Sequence, residues 1–203
     1  MKTSDIGEHY RGLLAKYGDS PQAAQYSSRS SQERRFELLA AIGDLNNKKI
    51  LDFGCGTGHL GSYLTEQGLE FEYFGADIVS EFLTLCREKF PAGHFDELSS
   101  LSHLKFDYIF VSGVFNNKRK DNSQFYQDTI RQLFSMCNIG LSFNMMSNYV
   151  DYKDPGLFYE YPENVFRFLK REITPFVTLR NDYEVKSGIV PFDFTVYAYQ
   201  TGQ

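Results

Sequence analysis

Cysteine and histidine are scarce in this chain of 203 residues, which contains three cysteines and four histidines. The cysteines lie far apart and form no C-x-x-C pair, so neither a disulfide framework nor a zinc site is predicted. The histidines also lack the spacing of metal ligands. We therefore expect a protein without a metal site.

Long apolar runs and basic clusters are also missing. No stretch approaches about 18 consecutive apolar residues, and the start, MKTSDIGEHY, does not resemble a signal peptide. The net charge is −5 and the basic clusters are short, which argues against a cationic surface for nucleic acid. We expect a cytoplasmic protein that binds neither membrane nor nucleic acid and acts on a small molecule.

Short apolar runs alternate with helical patterns from Lys49 onward. Such alternation predicts a parallel sheet with helices on both faces, and two closing strands without a helix between them must be antiparallel. We expect a Rossmann-like, doubly wound α/β fold with a seven-stranded sheet and an antiparallel final strand. The predicted strands are 50–53, 70–77, 94–95, 106–112, 139–146, 176–180 and 192–199; the predicted helices between them are 60–67, 80–89, 122–137 and 163–171.

Residues 1–47 have polar-rich helical patterns around 3–17 and 30–43, separated by an irregular loop. Ser30 and Glu33 fit a capping box at the start of the second helix. We therefore divide the chain into a helical N-terminal lid, residues 1–47, and a single structural unit, residues 48–203.

The stretch ILDFGCGTGHLG, residues 50–61, follows the first predicted strand, where open parallel sheets bind their ligands. Counted from Gly56, it matches G-x-G-x-x-G, the dinucleotide fingerprint; counted from Asp52, it reads D-x-G-x-G-x-G. A carboxylate at Asp52 would repel a pyrophosphate at the helix N-terminus, whereas it attracts the sulfonium and ammonium of S-adenosylmethionine. Asp77, at the end of the second strand, can accept ribose hydroxyls from either cofactor.

These features together resemble a class I S-adenosylmethionine-dependent methyltransferase. The resemblance implies that Gly54, Gly56 and Gly58 form the cofactor loop and that Asp77 binds the ribose. It implies that Asp52 supports the loop and, through water, the cofactor's amino group. It also implies that Asp96 or Glu97, after the short third strand, contacts the adenine amine.

The chain also resembles a looser group of small bacterial methyltransferases, through a Y-S-S-R-S-S-Q-x-R-x-F lead-in over Tyr26–Phe36. A strand ending in S-G-x-F-N and the stretch F-N-x-x-S-x-Y-x-D-Y-K-D are shared as well. Tyr26 is a candidate to cover the adenosine or approach the sulfonium, and Arg35 to hold the cofactor carboxylate. The predicted cofactor-binding residues are Tyr26, Arg35, Asp52, Gly54, Cys55, Gly56, Asp77, Ile78, Asp96, Glu97, Ser112 and Gly113.

Acceptor-side candidates come from the loops after the fourth and fifth strands, namely Asn116, Tyr149 and Asp151. The cations over 118–120 are more typical of a solvated loop than of a site that attracts an anionic acceptor, and this second interpretation stays open. We predict methyl transfer to an oxygen or nitrogen atom of a small molecule, in a pocket closed by 1–47 and 147–162. The alternatives are a protein or peptide methyltransferase, a nucleoside-binding module without catalysis, and an NAD oxidoreductase, which Asp52 disfavours.

Overall fold

A computed structural model describes residues 3–186 and 188–202 of the protein. The helices are α1 (Thr3–Tyr17), α2 (Arg29–Ala40), α3 (His59–Glu66), α4 (Ser80–Lys89), α5 (Leu98–Leu101), α6 (Asn122–Ser135) and α7 (Pro162–Glu172), with a 3-10 turn over Pro21–Ala24. The strands are β1 (Lys48–Phe53), β2 (Phe71–Ala76), β3 (His94–Asp96), β4 (Phe106–Val111), β5 (Cys137–Met146), β6 (Phe176–Arg180) and β7 (Asp193–Tyr199).

The strands form one seven-stranded sheet in the order β3-β2-β1-β4-β5-β7-β6. Strands β1 to β5 pair in parallel, and β7 pairs antiparallel with both β5 and β6. The predicted doubly wound fold with its antiparallel final strand is therefore confirmed. The strand order reverses between β1 and β4, and this is the position where open α/β sheets bind ligands.

Both faces of the sheet are buried, which explains why its strands read as apolar runs. One face packs Ile109, Val111 and Phe143 against residues of α6 and α7, such as Ile130 and Leu169. The other face packs Ile50 and Phe110 against α2 and α3 through Leu39, Leu60 and Leu64. No described helix is long and apolar enough to cross a membrane.

The N-terminus of α2 differs from the predicted capping box. The helix begins at Arg29, and the Ser28 hydroxyl caps it by accepting the Ser31 N–H at 3.2 Å. Glu33 instead accepts from Arg29 Nε at 2.6 Å and lies 3.1 Å from His59 Nε2. The prediction of Ser30 as the cap was wrong because the helix starts one residue before it.

Candidate functional site

A cavity lies where the carboxyl ends of β1, β2 and β4 meet. Phe53, the last residue of β1, is in register with Ala76 of β2 and Val111 of β4. The loops that begin at Gly54, Asp77 and Ser112 are therefore neighbours, and residues from all three line the cavity. The glycine loop after β1, the acid after β2 and the loop after β4 thus form one site.

The glycine loop after β1 needs its glycines for conformation and for space. Gly54 has a φ of 76°, and a Cβ at this position would lie 2.3 Å from the Val114 side chain. Gly56 and Gly58 also have positive φ angles, of 51° and 73°. Gly58 is the N-cap of α3, so the loop turns directly into that helix. Bulkier residues would strain this turn.

Asp77 connects the loop to the end of β2. Its Oδ2 accepts the Gly56 N–H at 2.9 Å, and its Oδ1 accepts the Val79 N–H at 3.0 Å. Burial raises the pKa of this carboxyl, while these backbone hydrogen bonds lower it. Asp77 and Ile78 both line the cavity, and two backbone hydrogen bonds fix the orientation of the Asp77 carboxylate there.

Asp52 lies on β1 below the loop and also lines the cavity. Its side chain is buried, and Oδ2 accepts the Tyr73 hydroxyl at 2.8 Å. Burial, opposed by the hydrogen bond from Tyr73 and reinforced by the charge of Asp77, raises the pKa of Asp52 to about 7. A cation bound beside Asp52 would favour its ionised form.

The exit of β4 is fixed by contacts with β5 and with the N-terminal segment. The Gly113 N–H donates to Asn144 Oδ1 at 2.8 Å, and the Ser112 hydroxyl lies 2.9 Å from that of Tyr26. Tyr26, Ser112 and Gly113 all line the cavity. The fold therefore brings Tyr26 together with Ser112 and Gly113, which are distant from it in sequence.

A second contact connects α1 to the loop after β4. Asn117 Nδ2 donates to the Tyr10 hydroxyl at 2.9 Å, and that hydroxyl donates to Gln25 Oε1 at 2.9 Å. Tyr10 and Asn117 both line the cavity. Sequence reasoning missed both residues; it selected Asn116, whose neighbour Asn117 occupies the cavity wall instead. Asn116 is partly buried beside Gly113, outside the lining, and its Oδ1 has no partner.

Arg119 also lies in the cavity wall. Its side chain is only 11% exposed, and the guanidinium carbon lies 4.1 Å from the centroid of the Phe125 ring. Its Nε donates to Asp121 at 3.1 Å, and its backbone N–H donates to Asn122 Oδ1 at 2.6 Å. The interpretation of 118–120 as a solvated loop was wrong for Arg119, whereas Lys118 and Lys120 are exposed.

Several predicted cofactor residues lie outside the cavity wall. Arg35 is buried and paired with Asp193, with 2.7 Å between Nε and Oδ2, and its guanidinium carbon lies 5.4 Å from the centroid of the Tyr26 ring. Asp96 and Glu97 are exposed at the end of the short β3. The structure therefore turns these carboxylates to solvent and places Arg35 in a structural ion pair.

The loop after β5 does not close the cavity, in contrast to the expectation for 147–162, because none of these residues lines it. Tyr149 is exposed, and its hydroxyl donates to Glu163 Oε1 at 2.6 Å. Asp151 is also exposed. Both follow β5, but Tyr149 contacts the start of α7 and Asp151 lies in solvent, so neither reaches the cavity.

Gln32 is a further residue of the site that sequence reasoning missed. It is 4% exposed on α2 and lines the cavity, and its Oε1 has no hydrogen-bond partner. Its position within the lead-in over Tyr26–Phe36 was the available signal. Phe36, one helical turn after Gln32, also lines the cavity, together with Leu60 and His59.

Comparisons with known proteins identify the family. A family model described as a methyltransferase domain matches residues 44–172. A putative methyltransferase of Mycobacterium tuberculosis is 28% identical over 155 residues, which cover 72% of this chain and 90% of that protein. Trans-aconitate 2-methyltransferase of Rhodopseudomonas palustris is 31% identical over 83 residues, which cover 39% of this chain and 32% of that protein.

Solved structures show the same fold. Magnesium protoporphyrin IX methyltransferase of Synechocystis PCC 6803 with bound S-adenosylmethionine gives a TM-score of 0.66 at 15% identity, covering 95% of this chain and 91% of that one. An S-adenosylmethionine-dependent methyltransferase of Clostridium acetobutylicum gives 0.58 at 14% identity, covering 98% and 99%. Because the family model spans well over half of its length, the chain belongs to the methyltransferase domain family, as a class I S-adenosylmethionine-dependent methyltransferase.

Proposed function

We propose that this methyltransferase acts on a small anionic acceptor, at an oxygen or nitrogen atom, and that a carboxylate oxygen suits its site best. The observation that carries this proposal is Arg119, a guanidinium with little solvent exposure in the cavity wall, stacked on Phe125. A planar guanidinium is suited to binding a carboxylate, and such a contact is stronger away from water.

The cofactor end of the cavity fits S-adenosylmethionine, which supplies a methyl group on a positively charged sulfur when bound. We assign Asp77 to the ribose, as its carboxylate lines the cavity and is oriented by Gly56 and Val79. We assign Asp52 to the cationic part, since it is the buried carboxylate below the loop. Gly54 and Gly56 allow close backbone approach. Ser112 and Gly113 also line the cavity, and we assign them to the cofactor as well.

A carboxylate acceptor needs no general base, because it is already ionised near neutral pH. The phenol hydroxyls that line the cavity are poorly suited to act as bases, which agrees with such an acceptor. Burial raises the pKa of Tyr10 and of Tyr26, so both phenols hold their protons tightly. Both hydroxyls are also hydrogen-bonded to other side chains. The task left to the chain is alignment of acceptor and methyl donor, which alone contributes several kcal/mol.

We further propose that residues 1–47 contribute a lid over 48–203 through the part that precedes α2, since α2 itself packs on the sheet. Two side-chain hydrogen bonds support this division, Tyr10 with Asn117 and Tyr26 with Ser112, and both lie at the cavity. A closed lid excludes water during transfer and leaves no open groove for a peptide chain. It therefore favours a small-molecule acceptor over a protein.

The names of relatives are consistent with this class of acceptor. One partial relative is named for trans-aconitate, which is itself a carboxylate. The proposal for this chain rests on Arg119, and the name adds that a protein with a partly similar sequence is named for an acceptor of this chemical class.

The test is a panel of small carboxylates, amines and neutral alcohols incubated with the enzyme and S-adenosylmethionine. Mass spectrometry detects the replacement of one hydrogen by a methyl group, and mild alkali then separates esters, which are hydrolysed, from N-methyl products, which survive. We expect alkali-labile products from carboxylates. Arg119→Met should lower kcat/KM by about tenfold or more, the cost of a charged hydrogen bond, while the exposed control Lys120→Met should leave it unchanged.

Other outcomes would contradict the proposal. Products only from neutral alcohols, or equal activity of Arg119→Met on carboxylates, would exclude recognition of an anion by this residue. Methyl incorporation into protein instead of metabolites would favour a protein methyltransferase. Binding of S-adenosylhomocysteine without turnover on any acceptor would favour a nucleoside-binding module.

A further inference from the structure

Gln32 carries a buried polar atom for which the folded chain supplies no partner. The side chain extends from α2 into the cavity wall, the residue is 4% exposed, and Oε1 accepts no hydrogen bond. Leaving a buried acceptor unpaired costs about 1–3 kcal/mol, so such groups in folded proteins are usually satisfied by a ligand or by water. Because Gln32 belongs to the wall of a ligand cavity, its unpaired amide oxygen points to a donor on the ligand.

The strand order separates Gln32 from Asp77 along the cavity. Asp77 follows β2, which lies on one side of β1 together with β3. Helix α2 packs on α3 and on strands β5 and β7, which lie on the other side of β1. The cavity thus runs from Asp77, Ile78 and Leu98 at one end to Gln32 and Phe36 at the other.

The cofactor has a matching linear order of groups: a nucleoside, then the sulfonium, then an amino acid. With the ribose at Asp77 and the base toward Ile78 and Leu98, the amino acid extends toward Asp52 and Gln32. The group there that brings N–H donors is the ammonium, since the carboxylate only accepts. Asp52 supplies a carboxylate in the wall of the same cavity.

We propose that Gln32 is a cofactor-binding residue that recognises the amino-acid end, its Oε1 accepting a hydrogen bond from the ammonium. The residue makes the site selective for the complete cofactor over nucleosides that lack the amino acid. It also gives α2 a direct role in cofactor binding, beside the contribution of Tyr26 from the preceding loop. The inference concerns cofactor binding alone and does not depend on the acceptor.

The experiment is calorimetry with three probes: S-adenosylhomocysteine, its analogue without the amino group, and methylthioadenosine, which lacks the whole amino acid. Gln32→Leu removes the amide while keeping the bulk of the side chain. It should weaken S-adenosylhomocysteine binding by about tenfold or more, the loss of a hydrogen bond to a charged group. Binding of methylthioadenosine should change less than about twofold, within the error expected of a neutral substitution.

The deaminated analogue identifies the group that Gln32 contacts. It should bind wild type and Gln32→Leu equally, because the donor that Oε1 accepts is missing from it. Ser30→Ala, at an exposed position of the same helix, is the matched control and should affect none of the probes. Gln32→Asn, which draws the amide back by one methylene, should show the same selective loss and serves if the leucine variant does not fold.

Three results would overturn the proposal. Equal weakening of all three probes by Gln32→Leu would mean that the residue only positions α2. An unchanged affinity for S-adenosylhomocysteine would mean that water satisfies the amide. Equal weakening of S-adenosylhomocysteine and its deaminated analogue, with methylthioadenosine unaffected, would assign Gln32 to the carboxylate and not to the ammonium.

Discussion

The protonation of Asp52 should control how tightly the cofactor binds around neutral pH. Burial raises the pKa of this carboxyl to about 7 in the cofactor-free protein. A ligand that places a cation beside Asp52 binds the ionised form, so binding below pH 7 must first remove a proton. Affinity should therefore rise with pH and level off above pH 7.

The size of the effect follows from this pKa. With a pKa of about 7, roughly one molecule in ten is ionised at pH 6 and about nine in ten at pH 8. The Kd of S-adenosylhomocysteine should therefore be about tenfold larger at pH 6 than at pH 8, which corresponds to about 1.4 kcal/mol. At pH 7 about half a proton should be released for each ligand bound.

The same carboxyl has a predictable effect on stability. Its folded pKa lies above the unfolded value of 3.8, so the folded state binds the proton more tightly. The free energy of unfolding should fall as the pH rises from about 4 to about 7, by up to about 4 kcal/mol, and stay constant above. Asp52→Asn removes this contribution and should be more stable than wild type at pH 8 in the absence of cofactor.

Isothermal titration calorimetry at pH 6, 7 and 8, in two buffers of different ionisation enthalpy, measures both affinity and proton release. Asp52→Asn is the control, because Asp77 and the ligand titrate in both proteins and cancel in the comparison. The reasoning is refuted if wild-type affinity is the same at pH 6 and pH 8, or if Asp52→Asn shows the same pH dependence.

Three further variants test other parts of the site by calorimetry with S-adenosylhomocysteine. Asp77→Ala should weaken binding by about 1–3 kcal/mol, whereas Asp96→Ala, at an exposed position outside the cavity, should leave it unchanged. If Asp96→Ala weakened binding and Asp77→Ala did not, the assignment of Asp77 to the ribose would be wrong. Gly54→Ala should bind about 5- to 150-fold more weakly, which corresponds to about 1–3 kcal/mol of strain, because its Cβ would meet Val114 at 2.3 Å. Unchanged affinity would contradict this steric argument. Arg35→Met should lower the free energy of unfolding by about 3–5 kcal/mol, since it leaves Asp193 buried without its partner; a tenfold loss of affinity in the folded fraction would restore Arg35 as a cofactor ligand.

The fold and the cofactor loop were predictable because their signals are local in the sequence. Strands buried on both faces produce apolar runs, and the alternation with helices fixes a parallel sheet. Gly54, Gly56 and Asp77 follow directly from β1 and β2, whose carboxyl ends are necessarily adjacent once the strands pair in parallel. The α5 helix of four residues and the 3-10 turn were missed because such short elements leave no periodic pattern.

The contacts of the N-terminal segment around the site could not be predicted, because they join residues that are distant in sequence. Tyr10 meets Asn117, and Arg35 pairs with Asp193 near the other end of the chain. A sequence places Arg35 near the cofactor loop but does not reveal that Asp193 neutralises it. The outward course of the loop with Tyr149 is equally nonlocal, since it follows from the contact with Glu163 on α7.

A crystal structure of the complex with S-adenosylhomocysteine tests the central claim most directly. The account predicts ligand density in this cavity, with the ribose hydroxyls on the Asp77 carboxylate and the amino-acid end between Asp52 and Gln32. Density in the reversed orientation, with the amino acid at Asp77, or outside this cavity altogether, would contradict it.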